Sequence, residues 1–307
     1  MKNSQTMGHL CALFTIIIWG TTFISTKILL TDLQPVEILF FRFAIGLSAL
    51  WLICPERLKG TSRKQELIFA GAGLCGICLY YLLENIALTC TLASNVGVII
   101  SVAPFFTAVF STLFLKENKP PVCFYLGFVV AMAGIALISF NGSSLKLNPF
   151  GDLLALLATV VWAFYSVLTK KISGFGFSTI LTTRRVFFYG ILFMLPALFL
   201  LDFRLDLTWI ASFSNPVDLG NLLYLGLGAS ALCFVAWNYA VKVLGAVKTS
   251  IYIYMVPVIT VATSAIILHE QITVLMLVGT FLILAGLILS ENGRFTRKEE
   301  TKDDSTR

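Results

Sequence analysis

ASNVGVIISVAPFFTAVFSTLFLKE, Ala93 to Glu117, is almost wholly apolar until its last two residues and carries Pro104 at its centre. Crossing a bilayer takes ~20 apolar residues, and this stretch has that length. A second copy, AVKTSIYIYMVPVITVATSAIILHE, runs from Ala246 to Glu270. Aligned without a gap, the copies match at Ala93/Ala246, Pro104/Pro257, Thr107/Thr260, Ser111/Ser264, Leu115/Leu268 and Glu117/Glu270.

The rest of the chain is built from the same material. Of 307 residues, 58% are hydrophobic and 12% charged, against roughly 25% charged in soluble domains. Ten segments have spanning length: Leu10–Leu30, Val36–Cys54, Leu67–Ala87, Ala93–Leu115, Pro121–Phe140, Asp152–Thr169, Phe177–Leu201, Leu219–Val241, Val247–Leu268 and Thr273–Ser290. The apolar run after Met1–Gly8 is long enough to span, so it reads as a first helix and not as a cleaved signal.

The repeat extends beyond the opening stretch. Trp19 to Lys27 aligns with Trp162 to Lys170, Arg42 with Arg185, Asn85 with Asn238, and Ala133-Gly134 with Ala285-Gly286, all in order. Each half holds five helices, so the second copy enters the membrane from the opposite face. The reading is an all-α polytopic membrane protein of ten transmembrane helices, arranged as two inverted five-helix repeats around a central cavity. The repeats cover residues 8–140 and 152–290, and residues 291–307 form a charged, disordered cytoplasmic tail. Inverted repeats of this kind put a substrate site near the midplane, between the halves.

The net charge of +6 is a topology signal, not a nucleic-acid footprint. Lys2, Arg57, Lys59, Arg63, Lys64, Lys116, Lys119, Lys170, Lys171, Lys242, Lys248 and the basic tail fall on the side shared by the termini. Lys27, Lys146 and Arg204 fall on the other. The positive-inside rule makes both termini cytoplasmic.

Candidate site residues are the polar and aromatic groups at depth. Trp19 and Trp162 fall about halfway across, where tryptophan packs on a neighbour or lines a cavity. Arg42 and Arg185 are costly inside a helix. Each holds structure or captures an anionic group, with Glu37 and Glu84 as candidate partners of Arg42 and no carboxylate close in sequence to Arg185. Glu84 is a candidate proton carrier or a solvated group near the outer end. Asn238, Tyr252 and Tyr254 are further candidate cavity residues. Pro104 and Pro257 each free the carbonyl four residues earlier, of Ile100 and Ile253, and read as helix kinks. Gly127, Ala131 and Gly134 pack their helix internally or against a second copy in a homodimer.

Other chemistry is poorly supplied. The seven cysteines are scattered through apolar segments, and Cys75-x-x-Cys78 lies within one of them. His9 and His269 are expected at opposite faces, so no metal or cofactor site is expected. No phosphate-binding loop or catalytic triad appears.

The Trp19-Gly20 segment ending at Lys27, the Phe40-Phe41-Arg42-Phe43 run, the Pro104-to-Glu117 helix, Gly134 and their second-half copies resemble the drug/metabolite transporter superfamily, and within it the EamA family of bacterial inner-membrane permeases. The resemblance covers roughly residues 8 to 290. It implies a central cavity and transport, often export, of amino acids or other small metabolites by alternating access. The small-molecule substrate and the lipid bilayer are then the expected partners. Gly20 becomes Ala163 and Glu84 becomes Trp237 in the second half, which argues against symmetric roles there. A flippase for a lipid-linked intermediate and a membrane-bound redox or acyl-transfer enzyme are the alternatives.

Overall fold

The structure is a computed structural model describing residues 2–91, 93–139, 148–200, 214–267 and 274–292. His269, Glu270, Lys146, Arg204 and residues 293–307 of the tail lie outside the described residues, while Glu291 and Asn292, expected in the tail, end the last helix. Every regular element among the described residues is a helix. In chain order they are α1 (Lys2–Leu29), α2 (Pro35–Ile53), α3 (Arg63–Cys90), α4 (Ala93–Ile100), α5 (Ala103–Phe114), α6 (Val122–Ser139), α7 (Pro149–Ser173), α8 (Thr179–Leu200), α9 (Pro216–Leu244), α10 (Ala246–Ser250), α11 (Val256–Ile267) and α12 (Val274–Asn292). Six of them, α1, α2, α3, α7, α8 and α9, are long and apolar enough to cross a membrane. Large apolar side chains such as Leu52, Phe199, Leu200 and Phe281 are left exposed on the outside, as a lipid solvent allows.

Local chemistry explains where the helices start. The Gln34 N–H donates to Glu37 Oε2 at 2.7 Å, completing a reciprocal cap with Pro35 at the first helical position of α2. Glu37 is therefore engaged at the helix end. Ser62 and Gln65 form the same device at α3. Asn148 and Asn215 accept from Gly151 N–H and Val217 N–H at the starts of α7 and α9.

The two repeated proline stretches are broken helices, not kinked single ones. Pro104 sits in the first turn of α5, after a turn at Ser101–Val102 that ends α4. Pro257 sits in the first turn of α11, after a 3₁₀ segment at Ile251–Met255. A first-turn proline loses no helical hydrogen bond, because its N–H would have had no partner there. The 3₁₀ turn settles the Ile253 carbonyl, which accepts from the Val256 N–H. The Ser101 hydroxyl donates to the Gly97 carbonyl at 2.8 Å.

α3 and α9 share an irregularity that the apolar pattern does not signal. Each is π-helical in mid-course, over Leu74–Leu79 and Tyr224–Leu232. Glycines accompany both stretches: Gly76 packs against the Tyr165 ring, and Gly226 against Ile45 and the Arg42 carbonyl.

The small-residue stripe is used within the chain. A Cβ on Gly127 would collide with the backbone of Gly286 and Ser290, and one on Gly134 with that of Gly279 and Ile283. α6 and α12 thus cross antiparallel with backbones in near contact. Gly127 and Gly134 lie 152 positions before Gly279 and Gly286, so each glycine meets the repeat-mate of the other. Nothing of the stripe's close-packed face remains for a second copy.

Candidate functional site

The deepest polar and aromatic groups converge between α1, α3, α7 and α9. Trp19 and Trp162, matched in the repeat, meet edge to face with ring centroids 5.3 Å apart. Tyr80 packs on Trp162 at 4.8 Å and on Tyr81 at 4.7 Å. Trp237 and Phe234 pack on Trp19 at 5.1 and 5.5 Å. The Trp19 indole N–H donates to the Ala229 carbonyl at 2.9 Å. That carbonyl belongs to the π-helical part of α9, where the widened ladder lets it turn outward.

Trp19, Tyr80, Tyr81 and Trp162 wall a cavity with Ile16, Thr22, Phe23, Glu84, Ile100, Ile253 and Val256. Its free space is about 30 Å³, enough for roughly two waters and far below the ~300 Å³ of a small-molecule site. The conformation is closed around the centre. The wall combines the ends of both broken helices, Ile100 of α4 and Val256 of α11, with the 3₁₀ residue Ile253.

Glu84 is the carboxylate in that wall. It is 5% exposed, and its Oε2 has no hydrogen-bond partner. Tyr80 stands one turn before it on the same helix face. Arg42 lies within electrostatic range, yet no ion pair joins them. Instead the Arg42 Nε donates to Ser230 Oγ at 3.1 Å, and its guanidinium carbon lies 4.3 Å from the Tyr81 ring centroid. Arg42 is 1% exposed and one of its terminal nitrogens has no hydrogen-bond partner. Ring stacking and a hydroxyl offset much of the cost of burying it, but not all.

Other candidates are placed elsewhere. Arg185 lies apart from the central cavity and finds a carboxylate that sequence proximity could not reveal. Its Nε and Nη2 hold Glu66 at 3.0 and 2.8 Å, and Glu66 also accepts from Tyr189 and Thr61 at 2.5 and 2.6 Å. Asn238 accepts from the Tyr165 hydroxyl at 2.8 Å and donates to Thr183 at 2.9 Å, bridging α7, α8 and α9. The Tyr252 hydroxyl meets His9 Nδ1 at 2.6 Å. Tyr254 is fully buried in a separate cluster with Phe124, Ala131 and Ile283 of α6 and α12. The cavity thus gathers Trp19, Trp162 and Glu84, with Arg42 behind Tyr81. Arg185, Tyr252 and Tyr254 are not among its lining residues. No group of His, Cys, Asp and Glu able to hold a metal occurs among the described residues.

Comparison with known proteins agrees with this architecture. Residues 6–140 and 149–291 each match the EamA-like transporter family. An uncharacterized transporter of Archaeoglobus fulgidus is 28% identical over 94% of this chain and 98% of its own length. A probable terminal-alkyne amino-acid exporter of Streptantibioticus cattleyicolor is 25% identical over the whole of both chains. A solved crystal structure has the same fold, with a TM-score of 0.70 at 18% identity, covering 93% of this chain and 96% of that one. The chain is a multi-pass membrane protein and a transporter, not an enzyme: it belongs to the EamA-like transporter family.

Proposed function

We propose that this protein exports an amine-bearing, amino-acid-like metabolite by alternating access through the cavity between Trp19, Trp162 and Glu84. The observation that carries the reading is the pairing of an aromatic wall with a single buried carboxylate whose Oε2 has no partner. An ammonium group fits both: it donates to the carboxylate, and indole and phenol faces attract it. The apolar residues Ile16, Phe23, Ile100, Ile253 and Val256 suit a hydrocarbon side chain. Arg42, one ring behind, can meet a carboxylate once Tyr81 moves.

The transport cycle follows from two inverted five-helix repeats making ten spans, with both termini in the cytoplasm. Reciprocal contact between repeat-mates supports this: Gly127 meets Gly286 while Gly134 meets Gly279, and Trp19 meets Trp162. The broken helices α4–α5 and α10–α11 occupy matching places in the two halves and border the cavity, as substrate-lining segments of such transporters do. Pro104 and Pro257 keep each break from annealing into one rigid helix. Export is favoured by the relative named as a probable amino-acid exporter.

Untargeted mass spectrometry of the medium tests the proposal, comparing cells with the intact protein against Glu84→Gln at equal membrane abundance. An amine-bearing compound enriched outside only with the intact protein is the expected result. Equal enrichment with both proteins removes Glu84 from the site. No enrichment of any amine with either removes export of this class.

A further inference from the structure

A second, larger recess lies on the outer surface between α2 and α8. Its volume is about 710 Å³, and its lining combines three arginines with apolar side chains. The rim carries Arg57, Arg184 and Arg185, while Trp51, Leu47 and Phe188 lead away from it along the two helices. Trp51 lies in the last turn of α2 and Arg184 in the second turn of α8, so the charged rim is at a membrane interface. Leu47 and Phe188 lie a turn deeper on their helices. Trp51 is 57% exposed and Phe188 48%, so the apolar slope faces the bilayer.

The three guanidiniums are not equivalent. Arg185 is committed to Glu66. Arg184 donates to the carbonyls of Cys54 and Glu56 just past the end of α2, which fixes the rim. Arg57 is exposed and has no hydrogen-bond or ion-pair partner among the described residues. Lys59 follows on the same connection and Arg63 and Lys64 open α3, against Glu56 and Glu66. The rim is therefore net positive, with one guanidinium uncommitted and hydrocarbon directly below it.

We propose that this recess is a binding site for an anionic phospholipid. Arg57 takes the headgroup phosphate, with Arg184 beside it, and the acyl chains lie along Leu47, Trp51 and Phe188. The match is one of charge and depth together: a soluble anion would use the rim alone, and a neutral lipid the slope alone. Basic recesses between transmembrane helices bind anionic headgroups in this way. α2, one wall of the recess, also carries Arg42, which stacks on Tyr81 of the central cavity.

Native mass spectrometry of the delipidated protein, titrated with phosphatidylglycerol and with phosphatidylcholine of identical chains, tests the proposal. The intact protein is expected to bind phosphatidylglycerol at least ten-fold more tightly. Arg57→Ala is expected to weaken it about five-fold, the worth of one arginine near an anionic surface. Ser48→Trp, which fills the recess from a lipid-exposed position without changing charge, is expected to weaken both lipids. Lys171→Ala, basic but outside the recess, is expected to bind as the intact protein does. Equal binding of the two lipids, binding of neither, or equal losses in Arg57→Ala and Lys171→Ala would overturn the site. Should Arg57→Ala fail to fold, unchanged lipid binding by Ser48→Trp overturns it alone.

Discussion

The Arg185–Glu66 pair gives a prediction that separates structure from transport. Arg185 offers Nε and Nη2 to the two carboxylate oxygens at 3.0 and 2.8 Å, with a third contact at 3.3 Å. That fork geometry puts the pair at the strong end for its exposure. The side chains are 35% and 22% exposed, so water competes and the several kcal/mol of a broken buried pair does not apply. The expected coupling is about 1 kcal/mol, the top of the range for exposed pairs. Glu66→Ala also strands the hydroxyls of Tyr189 and Thr61, so it should cost more, ~2 kcal/mol, since each hydrogen bond is worth about 1 kcal/mol or less net when solvent can replace it. The double variant should then cost little more than Glu66→Ala alone. Reversible denaturation in detergent micelles, run as a double-mutant cycle, measures this. Neither single variant should change apparent substrate affinity in a transport assay. A coupling indistinguishable from zero, with transport lost in Arg185→Ala and kept in Glu66→Ala, would refute the reasoning and return Arg185 to substrate binding.

Three further outcomes follow from other contacts. Gly134→Leu should destabilise by about 2 kcal/mol or more through overpacking against the Gly279 backbone; Ala133→Leu, one residue away and exposed, should not, and thermal unfolding of the two variants compares them. Asn238→Ala should cost ~1–3 kcal/mol, because the buried Tyr165 hydroxyl loses its acceptor while Thr183, which still donates to the Thr179 carbonyl, loses one donor, measured by denaturant midpoint. Pro104→Ala and Pro257→Ala should leave the unfolding midpoint within about 1 kcal/mol of the intact protein, since first-turn prolines hold no ladder bond, yet slow exchange in proteoliposomes; unchanged exchange rates would detach the helix breaks from the cycle.

The apolar segments and the twin prolines were readable because bilayer length and repeated order are properties of the chain itself. Side-chain partners were not. Glu66 lies one residue before the apolar run that begins at Leu67, and nothing local ties it to Arg185, 119 residues on. Glu37 is one turn or so before Arg42, and the α2 cap engages it. Ser230, which receives the Arg42 Nε, is one small residue in a run of others. The prolines announced an interruption without saying which kind: a kink leaves an orphan carbonyl, whereas the observed 3₁₀ turn and helix restart absorb it. The π-helical turns of α3 and α9 leave only a weak trace, the glycines at 76, 226 and 228, since hydropathy is blind to one extra residue per turn. Tyr254 shows the limit of reasoning by segment. Its helix borders the cavity, yet its own face belongs to α6 and α12.

The central claim is that the cavity of Trp19, Trp162 and Glu84 carries an amine-bearing substrate outward. The most direct measurement loads proteoliposomes with an isotopically labelled mixture of amino acids and their des-amino analogues, and follows efflux. The account predicts that a subset of the amino acids leaves through the intact protein, that their des-amino analogues stay inside, and that Glu84→Gln abolishes the efflux at equal incorporation. Efflux of the analogues at the same rate as the amino acids, or full efflux through Glu84→Gln, would contradict it.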